Sequence, residues 1–190
     1  MSPQKLLPVS CAQAKRILLI GPSCSGKTTL SQKLGQILNL PAYDLDDLHW
    51  LPDWKARELD DFRAQVKQVV DQERWILAGN YSRSQDLSWP RAELILWLDF
   101  EKALILRRFF KRTLWRYLSH TASCNGNYES LKTIFGKDSL YRWIQDTHQL
   151  QRDRYQERLA SDPDKVCVRL TDPQAVQALL RQFSQMQEIP

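Results

Sequence analysis

The sequence is poor in the residues from which several classes of protein build their sites. It has four cysteines among 190 residues, Cys11, Cys24, Cys124 and Cys167, and no C-x-x-C pair. This spacing argues against a zinc site and against a disulfide framework. No apolar run approaches the roughly 20 residues of a membrane span, and residues 1–14 lack the apolar stretch of a signal peptide. We therefore expect a flexible leader over 1–14 and a cytoplasmic protein without membrane association.

Positive charge is concentrated in the second half of the chain. The formal net charge is +5. Residues 102–158 contain twelve Lys or Arg against five Asp or Glu, whereas the remainder contains fifteen basic and seventeen acidic residues. An excess of this kind favours an anionic ligand for the second half.

Short apolar runs alternate with amphipathic helical patterns along residues 15–185. Strands are predicted at 15–20, at the start of 41–50, and at 74–80, 92–100 and 165–170. Helices are predicted at 26–39, 56–73, 101–118 and 138–160 and after Asp172, an N-cap followed by Pro173. The alternation is typical of a single α/β domain whose open parallel sheet is covered by helices on both faces. In such sheets ligands bind at the carboxyl ends of the strands.

The strongest motif follows the first strand. Residues 21–29, GPSCSGKTT, match G-x-x-x-x-G-K-[ST] without a mismatch. Such a loop turns backbone N–H groups inward as an anion nest, while the lysine reaches the β- and γ-phosphates and the hydroxyl ligates Mg²⁺. We therefore predict ATP and Mg²⁺ as cofactors and call residues 21–29 the phosphate loop. The predicted nucleotide-binding residues here are Gly21, Pro22, Ser23, Cys24, Ser25, Gly26, Lys27, Thr28 and Thr29, with Lys27 also catalytic.

An acidic and aromatic segment, DLDDLHW, follows the second strand. Carboxylates here can hold Mg²⁺ or accept a proton from a substrate hydroxyl, and Asp46 is the predicted residue for both roles. Asp44, His49 and Trp50 are predicted to line an acceptor site within a helical segment of about 44–73. A solvated acidic loop that caps the next helix is the alternative.

A third motif, AGNYSR, follows the third strand. We expect it to face the phosphoryl acceptor, with substrate contacts from Gly79, Asn80, Tyr81 and Arg83. A tight turn without a ligand remains the alternative.

The basic segment LILRRFFKRTLWR carries Arg108 and Arg112 four residues apart, hence on one helix face. Positioned arginines stabilise the charge that develops in phosphoryl transfer. These two are predicted to be catalytic on an Arg-rich lid of about 101–160, with Arg152 and Arg154 as candidates on its second helix. A solvated basic helix is the alternative for any single arginine.

These motifs together resemble the adenylate-kinase-like branch of the P-loop proteins. LLIGPSCSGKTTLSQKLGQIL, LPAYDLDDLHW, WILAGNYSR and ELILWLDF are more closely similar to the bacterial DNA topology modulation protein family, over most of 15–185. The resemblance implies a five-stranded parallel sheet in the order 2-3-1-4-5, a helical lid, ATP and Mg²⁺ binding, and adenine contacts from Asp172 and Pro173. Ala78 stands where relatives often carry an acidic residue, so metal binding is expected to depend on Thr28, Asp46 and also Asp99.

Two functions of different classes follow. The first is a P-loop phosphotransferase of the nucleoside or nucleotide kinase type that acts on a nucleoside, a nucleoside monophosphate or another small acceptor. The second is an ATP-dependent regulator that binds nucleic acid or protein, with a slow ATPase as a weaker third. The sequence contains no helix-turn-helix or other DNA-reading module, and it does not indicate an oligomeric state.

Overall fold

The structure, a computed structural model, describes residues 11, 13–119, 124–127 and 139–187. Most of the predicted leader and two parts of the predicted lid, 120–123 and 128–138, lie outside the described residues. The strands are β1 (Arg16–Ile20), β2 (Ala42–Asp44), β3 (Trp50–Leu51), β4 (Lys55–Ala56), β5 (Trp75–Ala78), β6 (Leu94–Leu98) and β7 (Val166–Leu170). The helices are α1 (Lys27–Leu38), α2 (Leu45–His49), α3 (Leu59–Val70), α4 (Gln85–Arg91), α5 (Lys102–Ser119), α6 (Leu140–Ser161) and α7 (Pro173–Gln187).

Five of these strands form one sheet in the order β2-β5-β1-β6-β7, with parallel pairing throughout. Counted among these five strands alone, this is the predicted order 2-3-1-4-5. The central strands β5, β1 and β6 are almost completely buried. Both of their faces are covered, which explains why they appear in the sequence as continuous apolar runs.

Helices cover both faces of the sheet and give the predicted three-layer α/β fold. One core cluster packs α1, α5 and α7 against the sheet through residues such as Leu34, Phe109 and Phe183. The other includes Phe62 of α3, Trp89 of α4 and Tyr155 of α6. The carboxyl ends of β1, β2, β5 and β6 are therefore left open at one edge.

The segment after β2 matches the predicted helical segment of about 44–73 only in part. Asp44 caps the short helix α2 by accepting a hydrogen bond of 2.9 Å from the backbone N–H of Asp46. Beyond α2, strands β3 and β4 pair in an antiparallel hairpin, residues 50–56, that the sequence did not predict. Asp53 and Trp54 at its tip have φ of 62° and 53°. The predicted helix 56–73 is consequently shorter, Leu59–Val70.

The two helices predicted for the lid are present as α5 and α6. The ring of Tyr141 on α6 packs against Phe109 and Phe110 on α5. The Nε2 atom of His148 lies 2.9 Å from the carbonyl oxygen of Phe100, which joins α6 to the end of the sheet. Among the described helices, none has the length and apolar character needed to cross a bilayer.

Candidate active site

A cleft of about 1630 Å³ opens at the carboxyl ends of the strands. Its walls are the phosphate loop, the segment from β2 to the hairpin, residues 79–83, and one side each of α5 and α6. The sequence-predicted residues that line it are Ser23, Cys24, Ser25, Gly26, Lys27, Thr28, Thr29, Asp44, Asp46, His49, Trp50, Gly79, Asn80, Tyr81, Arg83, Arg108, Arg112, Arg154 and Pro173. The motifs thus meet in one cavity, although they are separated widely in sequence.

The phosphate loop has the backbone of an anion cradle. Gly21 has φ of 143°, and a Cβ there would lie 2.5 Å from the carbonyl oxygen of Leu98, so only glycine fits. Gly26, with φ of 98°, caps α1 without a side-chain hydrogen bond, and the first turn of α1 lines the cleft. An anion at this position gains from the N–H groups and the dipole of α1. Gly21 and Pro22 are themselves buried behind the cradle.

Lys27 lies across the loop. Its Nζ donates hydrogen bonds of 2.8 Å to the carbonyl oxygen of Gly21 and 3.0 Å to that of Pro22. Burial lowers the pKa of Lys27, while the charges of Asp46 and Asp44 act in the opposite direction. Because neutral carbonyls are weaker partners than phosphate oxygens, the ammonium is prepared to exchange them for an anionic ligand.

Asp44 connects the phosphate loop to the second strand. Its Oδ2 accepts a hydrogen bond of 2.5 Å from the hydroxyl of Thr28. Burial, and to a smaller extent the charge of Asp46, raises the pKa of Asp44. The carboxylate adjacent to Thr28 is therefore that of Asp44, whereas the sequence analysis assigned the metal to Thr28 with Asp46.

Asp46 faces the aromatic side of the cleft. Its Oδ1 accepts a hydrogen bond of 2.7 Å from the hydroxyl of Tyr81. Burial, and then Asp46, raises the pKa of Tyr81, so this hydroxyl stays protonated. The centre of the His49 ring lies 4.7 Å from the centre of the Tyr81 ring and 4.8 Å from that of the Trp50 ring. Burial lowers the pKa of His49 and favours its neutral form.

Asn80 secures the start of the phosphate loop. Its Oδ1 accepts a hydrogen bond of 3.0 Å from the backbone N–H of Gly21, and its Nδ2 donates to the carbonyl oxygen of the same residue. The Nδ2 atom also lies 3.2 Å from Oε1 of Gln151 on α6. Predicted as a substrate residue, Asn80 thus holds the loop and contacts α6, while Arg83 is exposed at the rim.

The cations of α5 that were predicted to be catalytic lie along the cleft. Arg108 donates a hydrogen bond of 2.6 Å to the carbonyl oxygen of Ser25 and stacks 4.8 Å from the centre of the Phe100 ring. Arg112 lines the cleft, and its charge helps to lower the pKa of Lys27. The positive charge of α5 is therefore directed at the phosphate loop.

Two acidic residues named from the sequence lie elsewhere. Asp99 accepts hydrogen bonds from Arg169, and its Oδ2 lies 3.1 Å from Nε of Arg152. Two arginines therefore neutralise this carboxylate, which does not act as a metal ligand here. Asp172 caps α7 by accepting a hydrogen bond of 2.8 Å from the N–H of Ala175, and it does not line the cleft. The neighbouring Pro173 does line the cleft, together with Val176, Gln177 and Leu180.

The donor set fits a magnesium ion that shares its ligands with phosphate. Within the described part of the chain, no group of three or more His, Cys, Asp or Glu residues is arranged to hold a metal alone. Thr28, Asp44 and Asp46 offer one hydroxyl and two adjacent carboxylates. Mg²⁺ commonly takes one or two carboxylates and completes its shell with phosphate oxygens and water. Ala78, at the end of β5, supplies no carboxylate.

Several residues that line the cleft were missed by the sequence analysis. They are Lys33, Trp54, Phe100, Trp115, Trp143, Thr147 and Asn125, among others. Trp54 lies on the unpredicted hairpin, and Trp115, Trp143 and Thr147 lie on α5 and α6, where no motif marks a cleft-facing side. Trp115 and Trp143 would have been the available signal, because large aromatics are unusual on a polar helix surface.

Comparison with known proteins supports the fold and leaves the family open. Neither the protein-family models nor the curated proteins contain a match to this chain. Solved structures do match: shikimate kinase from Bacteroides thetaiotaomicron has 17% identity and a TM-score of 0.58 and covers 93% of this chain and 99% of its own. Shikimate kinase from Acinetobacter baumannii, in complex with shikimate, has 16% identity and a TM-score of 0.51, and the match covers 93% of this chain and 96% of the kinase. A gluconokinase from Sinorhizobium meliloti has 16% identity and a TM-score of 0.51 over 90% of both chains.

The chain therefore has the fold of P-loop kinases. At identities of 16–18% this likeness shows the fold alone. The resemblance to the DNA topology modulation family is not shown by any of these comparisons and stays a prediction.

Proposed function

We propose that this protein transfers the γ-phosphate of ATP to a hydroxyl group of a small acceptor. One observation carries the proposal: the phosphate loop, the Thr28–Asp44 pair and the Arg108 face of α5 all open into the same cleft. This set contains an anion cradle, candidate metal ligands and a transition-state cation. The fold that it shares with small-molecule kinases agrees with this assignment.

Nucleotide binding would depend on the phosphate loop and α7. The N–H groups of the loop and the ammonium of Lys27 would bind the β- and γ-phosphates. The adenine would lie between Pro173, Val176 and Gln177 of α7 and the facing side of α5, since these residues line the same cleft as the phosphate loop. Asp172 would act by capping α7 beside this site.

The metal would be held by Thr28 and Asp44, and the carboxylate of Asp46 would lie beside it. When magnesium is bound, it would neutralise part of the negative charge on the β- and γ-phosphates. Asp46 would accept the proton of the acceptor hydroxyl, since its carboxylate lies in the cleft and is oriented by the hydroxyl of Tyr81.

The acceptor would lie between α2, the hairpin and residues 79–83. His49, Trp50, Trp54 and Tyr81 form the apolar side of this region, while Asp47 and Arg83 add polar groups. Arg108 and Arg112 would stabilise the charge on the transferring phosphoryl group, since they approach the phosphate loop from α5.

The regulator hypothesis loses its main support from the sequence. Its basis was the basic second half together with Ala78. Five of the twelve basic residues in 102–158 line the cleft: Arg108, Lys111, Arg112, Arg116 and Arg154. Cations gathered in a concave cleft suit a nucleotide better than a nucleic-acid duplex, which needs a broad basic surface. We therefore place the phosphotransferase first.

The test is ATP turnover with Mg²⁺ across a panel of nucleosides, nucleoside monophosphates, polyols and hydroxy acids. We expect one acceptor class to raise turnover at least a hundredfold, and Lys27→Ala to abolish the response. Lys67→Ala is the matched control, because Lys67 forms a surface ion pair with Asp71. Tight ATP binding with a flat response to every acceptor would contradict the proposal.

A further inference from the structure

Residues 124–127 bind the hairpin that faces the acceptor region. Asn125 donates hydrogen bonds through Nδ2 to the carbonyl oxygens of Asp47, at 2.7 Å, and Trp50, at 2.6 Å. Asn127 donates through Nδ2 to the carbonyl oxygen of Leu51 at 3.0 Å and accepts from the N–H of Trp54 at 2.8 Å. Two asparagines far from the hairpin in sequence therefore satisfy three of its backbone groups and one carbonyl of α2.

These contacts are specific in their chemistry. Asn127 is 4% exposed, and its amide needs both a donor and an acceptor to satisfy the groups around it. Asn125 has φ of 54°, a left-handed conformation that asparagine tolerates better than most residues. An aspartate would retain the shape at either position, but it could not donate to the hairpin carbonyls.

The hairpin needs such support. It consists of two strands of two residues each, and an isolated hairpin of this kind is marginal at best. Asp53 and Trp54 at its tip both have left-handed φ, a conformation that is unfavourable for a bulky side chain such as that of Trp54. The contacts from Asn125 and Asn127 are therefore well placed to select this conformation.

The hairpin presents two of the aromatic rings at the acceptor region. Trp50 and Trp54 line the cleft with their ring centres 5.7 Å apart. Cys124 and Asn125 line the same cleft beside them. This wall is consequently built from two segments that lie more than 70 residues apart in the chain.

We propose that Asn125 and Asn127 are positioning residues of the acceptor site, which hold Trp50 and Trp54 in place and connect this wall to α2. The inference rests on the proposed function, because it takes the hairpin as the acceptor wall. Asn125 also binds the carbonyl oxygen of Asp47 in α2, the helix that Asp44 caps, so a nucleotide and metal that engage Asp44 would act on this wall as well.

Hydrogen–deuterium exchange of the peptide covering 50–56 tests this in the full chain, with and without Mg²⁺ and AMP-PNP. We expect Asn125→Gly, which keeps the left-handed backbone and removes the amide, to raise exchange there at least tenfold. Asn127→Asp, which keeps the acceptor for Trp54 and removes the donor, is the second variant. Asn39→Gly is the control, because Asn39 also has a left-handed φ, of 51°, but is exposed at the end of α1.

Addition of AMP-PNP should slow exchange of 50–56 at least threefold in the intact protein. Both variants should lose this response while the Kd for AMP-PNP stays within threefold. For the acceptor identified by the panel, their KM should rise at least tenfold while the KM for ATP changes less than twofold.

Unchanged exchange of 50–56 in both variants would overturn the inference, and so would a preserved response to AMP-PNP in both. Neither result would affect the proposed function. If the intact protein does not bind AMP-PNP, the proposed function fails, and the exchange without nucleotide still decides whether the two asparagines hold the hairpin.

Discussion

The hydroxyl of Thr28 donates a hydrogen bond of 2.5 Å to the carboxylate of Asp44. This contact joins the first turn of α1 to the carboxyl end of β2, so the phosphate loop and the acceptor side of the cleft meet at one pair of side chains. Both groups are oxygen ligands, and a metal ion bound by the pair would replace this hydrogen bond, while the hydroxyl of Thr28 would keep its proton. The pair thus gives the proposed reaction a defined position for its metal.

Asp44 is expected to reduce stability at neutral pH. Burial and the charge of Asp46 raise the pKa of Asp44 above its ordinary 3.8, so the folded protein binds this proton more tightly than the unfolded chain does. The ionised form therefore costs stability above the raised pKa, and this cost disappears as the pH falls below about 3.8.

We accordingly expect Asp44→Asn to raise the thermal midpoint by about 2–4 °C at pH 7 and by less as the pH approaches 4, measured by scanning calorimetry. Its Mg²⁺-dependent turnover should fall at least a hundredfold. A lower midpoint at pH 7 would contradict the role of Asp44 as a strained functional carboxylate.

Arg108→Ala is expected to lower kcat by about 10²–10³ while the affinity for ATP changes less than tenfold. The guanidinium lies against the phosphate loop through Ser25, so its loss removes charge stabilisation in the transition state more than ground-state binding. Steady-state kinetics with Arg107→Ala as the matched control checks this, because Arg107 is exposed on the same helix. Equal effects of the two variants would refute a specific role for Arg108.

Gly79→Ala is expected to lower the free energy of unfolding by about 1–3 kcal/mol. Gly79 has φ of 149°, and a Cβ there would lie 2.6–2.9 Å from the side chain of Leu45, the first residue of α2. Urea denaturation measures the loss. The nearest of these atoms is Cβ of Leu45, at 2.6 Å, which alanine would retain, so the background that removes the clash is Leu45→Gly, and there the added cost of Gly79→Ala should shrink. Strictly additive effects would show that the two residues do not conflict.

The acceptor end of the cleft should favour a ligand without negative charge. Three carboxylates lie at this end, those of Asp44, Asp46 and Asp47, together with the exposed guanidinium of Arg83. Burial, and to a smaller extent the charge of Asp46, raises the pKa of Asp47. These carboxylates would repel an anionic ligand bound within a few ångströms of them. We expect a nucleoside to exceed its own 5′-monophosphate in kcat/KM at least tenfold. A preference for the monophosphate that Arg83→Gln removes would instead identify Arg83 as an anion anchor.

The parts of the molecule that could be predicted from the sequence depend on local signals. The order of the sheet follows from five apolar runs and the resemblance, and the phosphate loop from its glycine spacing. The cap of α7 follows from Asp172 and Pro173, as the hydrogen bond from Ala175 confirms. Each apolar run, the phosphate loop and the cap is a local signal of this kind, and the order of the strands comes from the resemblance.

The rest depends on contacts between distant segments. Asp99 follows a strand as a metal ligand often does, but Arg169 on the neighbouring strand and Arg152 on α6 occupy its carboxylate. The hairpin 50–56 has too few residues for an alternating pattern, and its support comes from Asn125 and Asn127. Such pairings leave no trace in a local window of sequence.

The most direct test of the central claim follows the phosphate itself. The intact protein would be incubated with Mg²⁺ and ATP labelled at the γ-phosphate, with each acceptor in turn, and the products separated. The account predicts that the label appears in one acceptor in a one-to-one ratio with ADP, and that Lys27→Ala produces none. Label found only as inorganic phosphate, at a rate that no acceptor changes, would contradict it.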